Sequence, residues 1–160
     1  MTAPEPPLTL DRYDRAILQQ LQRDGRLTNQ DLAERIGLSP SPCLRRVHAL
    51  EKAGLITGYE ALLNAKKLGY TLMALIGISM DQHIPERFET FEKQIRDIPE
   101  VLECLLITGQ SSDYQLKVLV RDMDDYQQLL LHRITRIPGV TGVHSSFVLQ
   151  KVIDRRAVPL

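Results

Sequence analysis

Two stretches of this 160-residue chain hold side chains able to do chemistry. The first is Ser39-Pro40-Ser41-Pro42-Cys43-Leu44-Arg45-Arg46, extended by Lys52. A guanidinium offers a rigid fork of donors, so each arginine could grip two acceptors on a guanine edge or clamp a phosphate. Serine hydroxyls at a helix start, with the free N–H groups there, suit phosphate oxygens. Between residues 39 and 52 three cations stand against one acid, Glu51, in a chain whose 20 basic and 20 acidic residues balance. This pattern offers binding to double-stranded DNA, with Ser39, Ser41, Pro42, Arg45, Arg46 and Lys52 as candidate contacts. The second stretch is Thr108-Gly109-Gln110-Ser111-Ser112-Asp113-Tyr114. Glycine allows close approach to the backbone, hydroxyl and N–H groups can hold a carboxylate, and Asp113 can take an ammonium. A free amino acid carries both charges, so one such loop could bind it. The same residues would also make a good hairpin connection, with Asp113 in an Asx turn.

Nothing in the chain recommends catalysis. His48, His83, His132 and His144 lack metal-ligand spacing. There is no phosphate-binding glycine loop, no nucleophile elbow and no dinucleotide fingerprint. Cys43 and Cys104 are far apart, which argues against a disulfide framework or a zinc site. No cofactor is implied. The longest uncharged apolar run, near Thr71–Met80, falls short of the roughly 20 residues that span a bilayer. Met1–Pro7 has neither the basic nor the apolar region of a signal peptide, so a cytoplasmic protein without membrane contact is expected.

Elements that could position these groups follow from periodicity. Residues 1–9 read as a tail. A first helix begins at Asp11, with Asp14 completing a capping pair, carries Ile17, Leu18 and Leu21 inward and ends at Gly25 in the left-handed conformation. A second is capped by Thr28, buries Leu32, Ala33 and Ile36 and stops at Gly37. A third starts with Ser39 as cap and Pro40 at its first position, and carries Leu44, Val47 and Leu50 as its buried stripe. Two short helices joined by Gly37-Leu38-Ser39-Pro40 meet the requirements of a helix-turn-helix, whose second helix would be offered to the major groove, and equally those of a plain three-helix core with a solvated basic face. Leu55–Tyr59 reads as the start of a small hairpin. After a connector at 61–70 the period switches. Leu72, Ala74, Ile76, Ile78 and Met80 alternate along a strand. Ile84, Phe88, Phe91, Ile95 and Ile98 form a helical stripe. Val101–Thr108 and Tyr114–Arg121 read as strands. Met123, Tyr126, Leu130, Ile134 and Ile137 form a second stripe, and Val140–Val152 a last strand. This βαββαβ order predicts a ferredoxin-like antiparallel sheet with both helices on one face. One layer of helices leaves the other, partly apolar face bare, so a second subunit is expected to cover it. Met123 reads as core, and Phe147 and Leu149 as sheet packing.

The motifs Leu10-Asp11-x-x-Asp14, Asp24-Gly25-Arg26, Leu32-Ala33-x-x-Ile36-Gly37-Leu38-Ser39-Pro40, Leu44-Arg45-Arg46-Val47 and Leu50-Glu51-x-x-Gly54-Leu55-Ile56 resemble the Lrp/AsnC family. These are the leucine-responsive, or feast/famine, transcriptional regulators. Val101-Leu102-Glu103-Cys104, Thr108-Gly109, Asp113-Tyr114, Asp122-Met123 and Ile137-Pro138-Gly139-Val140 extend the likeness from about Leu10 to Val152. The resemblance implies an α+β chain. Residues 10–60 would be a winged helix-turn-helix, 71–153 a βαββαβ ligand-sensing domain of the RAM/ACT-like kind, and 154–160 a tail. It implies dimers formed through the sheet, further assembly into octamers, and an amino-acid effector bound at the Gly–Asp loop between dimers. Positions matching effector-response sites are Asp113, Met123 and Phe147-Val148-Leu149. The family pattern has two residues between the glycine and Asp-Tyr, where this chain has three. The rival reading is an amino-acid-binding regulatory module acting on a protein partner, which leaves the basic third helix without a purpose.

Overall fold

The computed structural model describes residues 9–109 and 111–160, so the expected tail, apart from residue 9, and Gln110 lie outside the described residues. The chain forms two compact units, one running to Leu62 and including Asp154–Leu160, the other Leu63–Ile153.

In the first unit α1 is Arg12–Arg23, α2 is Asn29–Ile36 and α3 is Pro40–Lys52. The Asp11 carboxylate accepts from the Tyr13 and Asp14 N–H groups, while Asp14 accepts from the Asp11 N–H. This reciprocal cap satisfies donors that a helix start leaves without partners. Thr28 caps α2, and Gly37 ends it with φ 70°, where a side chain would be strained. Gly25 does not adopt the expected left-handed conformation: Asp24 closes α1 in extended geometry, and the chain simply leaves. Ser39 stands at the N-cap of α3 without a side-chain capping bond, and Pro40 opens the helix. The core is Ile17, Leu18, Leu32, Ala33, Cys43 and Leu50, with Val47 half-buried against it. Leu44, expected inside, is 44% exposed, and Cys43 takes its place. Val47 and Leu50 keep their expected places, so at about 100° per residue the buried stripe of α3 is turned by only about 30° from the reading above. Leu55–Tyr59 runs without strand pairing among the described residues. The closing segment lies along α1: Gln22 pairs with both backbone groups of Val158, Gln19 donates to the Leu160 carbonyl, and Arg156 pairs with Glu60. Every second residue thus faces the helical unit, as an extended chain requires.

In the second unit, β1 is Leu72–Met80, α4 Pro85–Arg96, β2 Val101–Leu106, β3 Tyr114–Val120, α5 Met123–His132 and β4 Val140–Phe147. The strands lie in the order β2-β3-β1-β4, with every neighbouring pair antiparallel. β2 stops at Leu106, β3 at Val120 and β4 at Phe147, each shorter than periodicity suggested. Ala74, Ile76 and Ile78 of β1, with Tyr114, Leu116 and Val118 of β3, bury one face against Phe91 and Ile95 of α4 and Tyr126 and Leu129 of α5. Leu129, in place of Leu130, joins Tyr126 as a buried residue of α5, which gives way to a 3₁₀ turn at Ile134–Arg136. The other face carries Leu75, 38% exposed, and Leu105, 47% exposed. No helix of the described residues is long and apolar enough to cross a membrane.

Candidate nucleic-acid interface and effector site

The frame of α3 decides which side chains can meet a ligand. Cys43, Val47 and Leu50 point into the core, so residues about 180° away form the outer stripe. These are Ser41, Arg45, His48 and Lys52, spaced 4, 3 and 4 residues apart, and all four are exposed. Arg45 makes no hydrogen bond or ion pair among the described residues. Ser39 is also exposed and Pro42 half-buried at the start of the helix. The Asn29 side chain of α2 donates to the Pro40 carbonyl at 2.8 Å and pins this end. His48, which its sequence position leaves open as either a DNA contact or a plain surface histidine, stands in this stripe and is exposed.

Arg46 does not share that surface. Its Nη1 lies 2.8 Å from Asp11 Oδ2 and 2.7 Å from Asp14 Oδ1, and its guanidinium sits 5.4 Å from the centre of the Tyr13 ring. Capping N–H bonds, the Asp14 N–H first, and the guanidinium hold the Asp11 carboxyl below the usual carboxylate range, and the two carboxylates raise Arg46 in turn. The expectation of two free neighbouring guanidiniums is thus met by Arg45 alone.

The expected effector residues separate into two groups. Thr108, Gly109 and Ser111 are exposed, while Ser112 is buried. Ser112 lies over Gly77, where a Cβ would stand 2.5 Å from its Oγ, and the Ser111 carbonyl accepts from Ser79 Oγ at 3.0 Å. Asp113 is already engaged: Oδ1 meets His83 Nε2 at 2.6 Å and Oδ2 accepts from the Met80 N–H at 2.7 Å. Its own N–H bonds the Ile78 carbonyl. The loop therefore sits at the Ile78–Met80 end of β1. Phe147, by contrast, pairs with Ala74, and the Val148 N–H bonds the Met73 carbonyl. Met123 follows β3, whose Val120 pairs with Leu72. The two groups are five or so strand residues apart, roughly 17 Å at strand rise, and no single subunit brings them together. Met123 is 52% exposed and Leu149 fully exposed, so neither is the core or sheet packing that periodicity suggested. Phe147 packs edge-on against Tyr126 but stays 39% exposed.

A cavity of about 260 Å³ lies between α4 and β2, lined by Glu92, Ile95, Arg96, Cys104, Leu106 and Tyr114. The Tyr114 hydroxyl donates to Glu92 at 2.9 Å. Burial first, then the Glu92 charge, pushes the Cys104 thiol up to about 11, which favours the protonated form. No group of three potential metal ligands occurs among the described residues.

Comparison with known proteins agrees with this geometry. Residues 10–57 match the winged helix-turn-helix DNA-binding model, and residues 73–158 the Lrp/AsnC ligand binding domain. The leucine-responsive regulatory proteins of Escherichia coli and Klebsiella pneumoniae are each 43% identical over 147 residues, covering 92% of this chain and 89% of theirs. A transcriptional regulator from Neisseria meningitidis, solved with L-methionine, superposes with a TM-score of 0.90 at 41% identity, over 94% of this chain and 97% of that one. Escherichia coli AsnC gives 0.84 at 30% identity, over 92% and 97%.

Proposed function

Because the chain belongs to the Lrp/AsnC family of DNA-binding transcriptional regulators, we propose how its own residues perform that role. The outer stripe of α3 enters a major groove, with Arg45 reading a base edge or clamping a phosphate and Lys52 adding a phosphate contact. Ser39, Ser41 and Pro42 bring the helix start, with its free N–H groups, against the backbone. The observation that carries this reading is the unpaired, exposed Arg45 opposite the buried Cys43–Val47–Leu50 stripe.

The effector is an amino acid, bound where two subunits meet. Support comes from the ligand-binding model match and from the L-methionine held by the Neisseria regulator. It comes also from the separation described above: the loop at one end of the sheet and the Met123, Phe147 and Leu149 patch at the other can share a ligand only across copies. A second copy covers the exposed Leu75 and Leu105 face, forming the homodimer that further assembly would build on. Two α3 helices would then meet successive major grooves of a roughly palindromic site. The rival reading, a module acting on a protein partner, leaves the Arg45 stripe unexplained.

Fluorescence anisotropy tests this with a labelled duplex selected from random sequence by the wild-type protein, with and without each amino acid. Arg45→Gln should weaken binding by about five- to 150-fold if it reads a base, or cut the log–log salt slope by about 0.9 if it meets a phosphate. Asp113→Ala should leave duplex affinity intact and remove the amino-acid response. An Arg45→Gln protein indistinguishable from wild type overturns the interface.

A further inference from the structure

The Asp11–Arg46–Asp14 cluster joins the start of α1 to the middle of α3. We infer that Arg46 is a positioning residue for DNA recognition: it sets the roll of α3 about its own axis and makes no contact with DNA itself. This rests on α3 being the recognition helix.

The charge count argues against a phosphate contact. Arg46 Nη1 bonds two carboxylates at 2.8 and 2.7 Å. The clasp of one guanidinium and two carboxylates carries one net negative charge, so it offers an approaching phosphate repulsion, not neutralisation. Even Arg12, 4.5 Å from the Tyr13 ring centre and bonded to its hydroxyl, brings the cluster only to neutrality.

Helix geometry argues for positioning. The core grips α3 through Cys43, Val47 and Leu50, which span only about 60° of its circumference. So narrow a stripe resists translation better than rotation. Arg46 lies about 60° to one side of it, where a tether best opposes roll. The outer stripe is roughly 6 Å from the axis, so a 10° roll moves it by about 1 Å. That is enough to spoil a directional hydrogen bond from Arg45. The far end of the clasp is itself fixed, because Asp11 and Asp14 form the reciprocal cap of α1. Tyr13, between them, supplies a ring face to the same guanidinium.

The test uses the full-length protein, the selected duplex and a salt titration of affinity. Arg46→Gln should weaken binding by about fivefold with the salt slope unchanged, whereas Arg45→Gln provides the contrasting profile of a contact residue. Asp14→Asn should weaken binding in the same direction, and Arg46→Gln with Asp14→Asn together should do no more than Arg46→Gln alone. Near-wild-type helical circular dichroism establishes that each variant is folded, and Asp14→Asn serves if Arg46→Gln is not. A salt slope reduced by about 0.9 in Arg46→Gln makes Arg46 a phosphate contact and overturns the inference. Additive losses in the double variant, or unchanged affinity in both single variants, overturn it as well.

Discussion

Gly77→Ala probes the seat of the loop that carries Ser111, Ser112 and Asp113. Gly77 lies on β1, on the face opposite the helices, and Ser112 packs directly over it. A methyl there would stand 2.5 Å from Ser112 Oγ, 3.2 Å from Ser112 Cβ and 3.8 Å from the His144 carbonyl. The hydroxyl can rotate away, but the Cβ must retreat by a few tenths of an ångström. Ser112 is buried between two anchors, the Ser79–Ser111 bond and the Asp113 bonds to Met80 and Ile78. That places the cost in the lower half of the overpacking range, about 1–2 kcal/mol. For a unit of this size each kcal/mol lowers the melting temperature by roughly 4–8 °C. In a Ser112→Gly background the two nearest obstacles are gone, and only the ordinary contact with His144 remains. There the added methyl should become neutral or stabilise by about 0.4–1 kcal/mol, because alanine restricts the unfolded chain. Hydrogen exchange at the Ile76 and Leu116 amides reads the sheet unit separately from the helical one. Equal destabilisation in both backgrounds would refute the packing argument.

The lowered Asp11 carboxyl predicts acid sensitivity in the helical unit. Its folded pKa lies below the unfolded value of about 3.9, so its contribution is complete above that value and disappears as pH falls through the folded one. Exchange protection of α1 should therefore drop on acidification below about pH 4, and Asp11→Asn should flatten that drop; a parallel profile in the variant argues against the cap. The bare face of the sheet makes a separate prediction. Leu75→Glu should turn a dimer into a folded monomer in sedimentation, and a wild-type protein that is monomeric at micromolar concentration removes the proposed partner copy.

Much of this fold was legible in the residues. Alternation from Leu72 to Met80 specified a strand and the face it buries, since a strand period of two leaves no other choice. Asp11 with Asp14, Thr28 with Asp31, and Gly37 marked helix ends because capping is local chemistry between residues a few positions apart. One position of the α3 stripe was not legible, although Val47 and Leu50 were. Leucine is the more apolar residue, yet the closely packed core took Cys43 and left Leu44 partly exposed, a choice made by the space between α1 and α2. Met123 also departs from its expected place: it lies on the helical stripe, but at the first turn of α5, where its own subunit leaves it 52% exposed.

The amino-acid sequence by itself determined the order of helices and strands, most helix starts, the antiparallel βαββαβ pattern and the family. These depend on backbone preference and short-range periodicity, which are written along the chain. Tertiary structure alone decided that Arg45 is free while its neighbour is held by two carboxylates from another helix, and that Asp113 is already bonded to His83 and Met80. It alone divided the expected effector residues between opposite ends of one sheet. Side-chain availability is set by partners distant in sequence, and those are fixed only when the elements have packed.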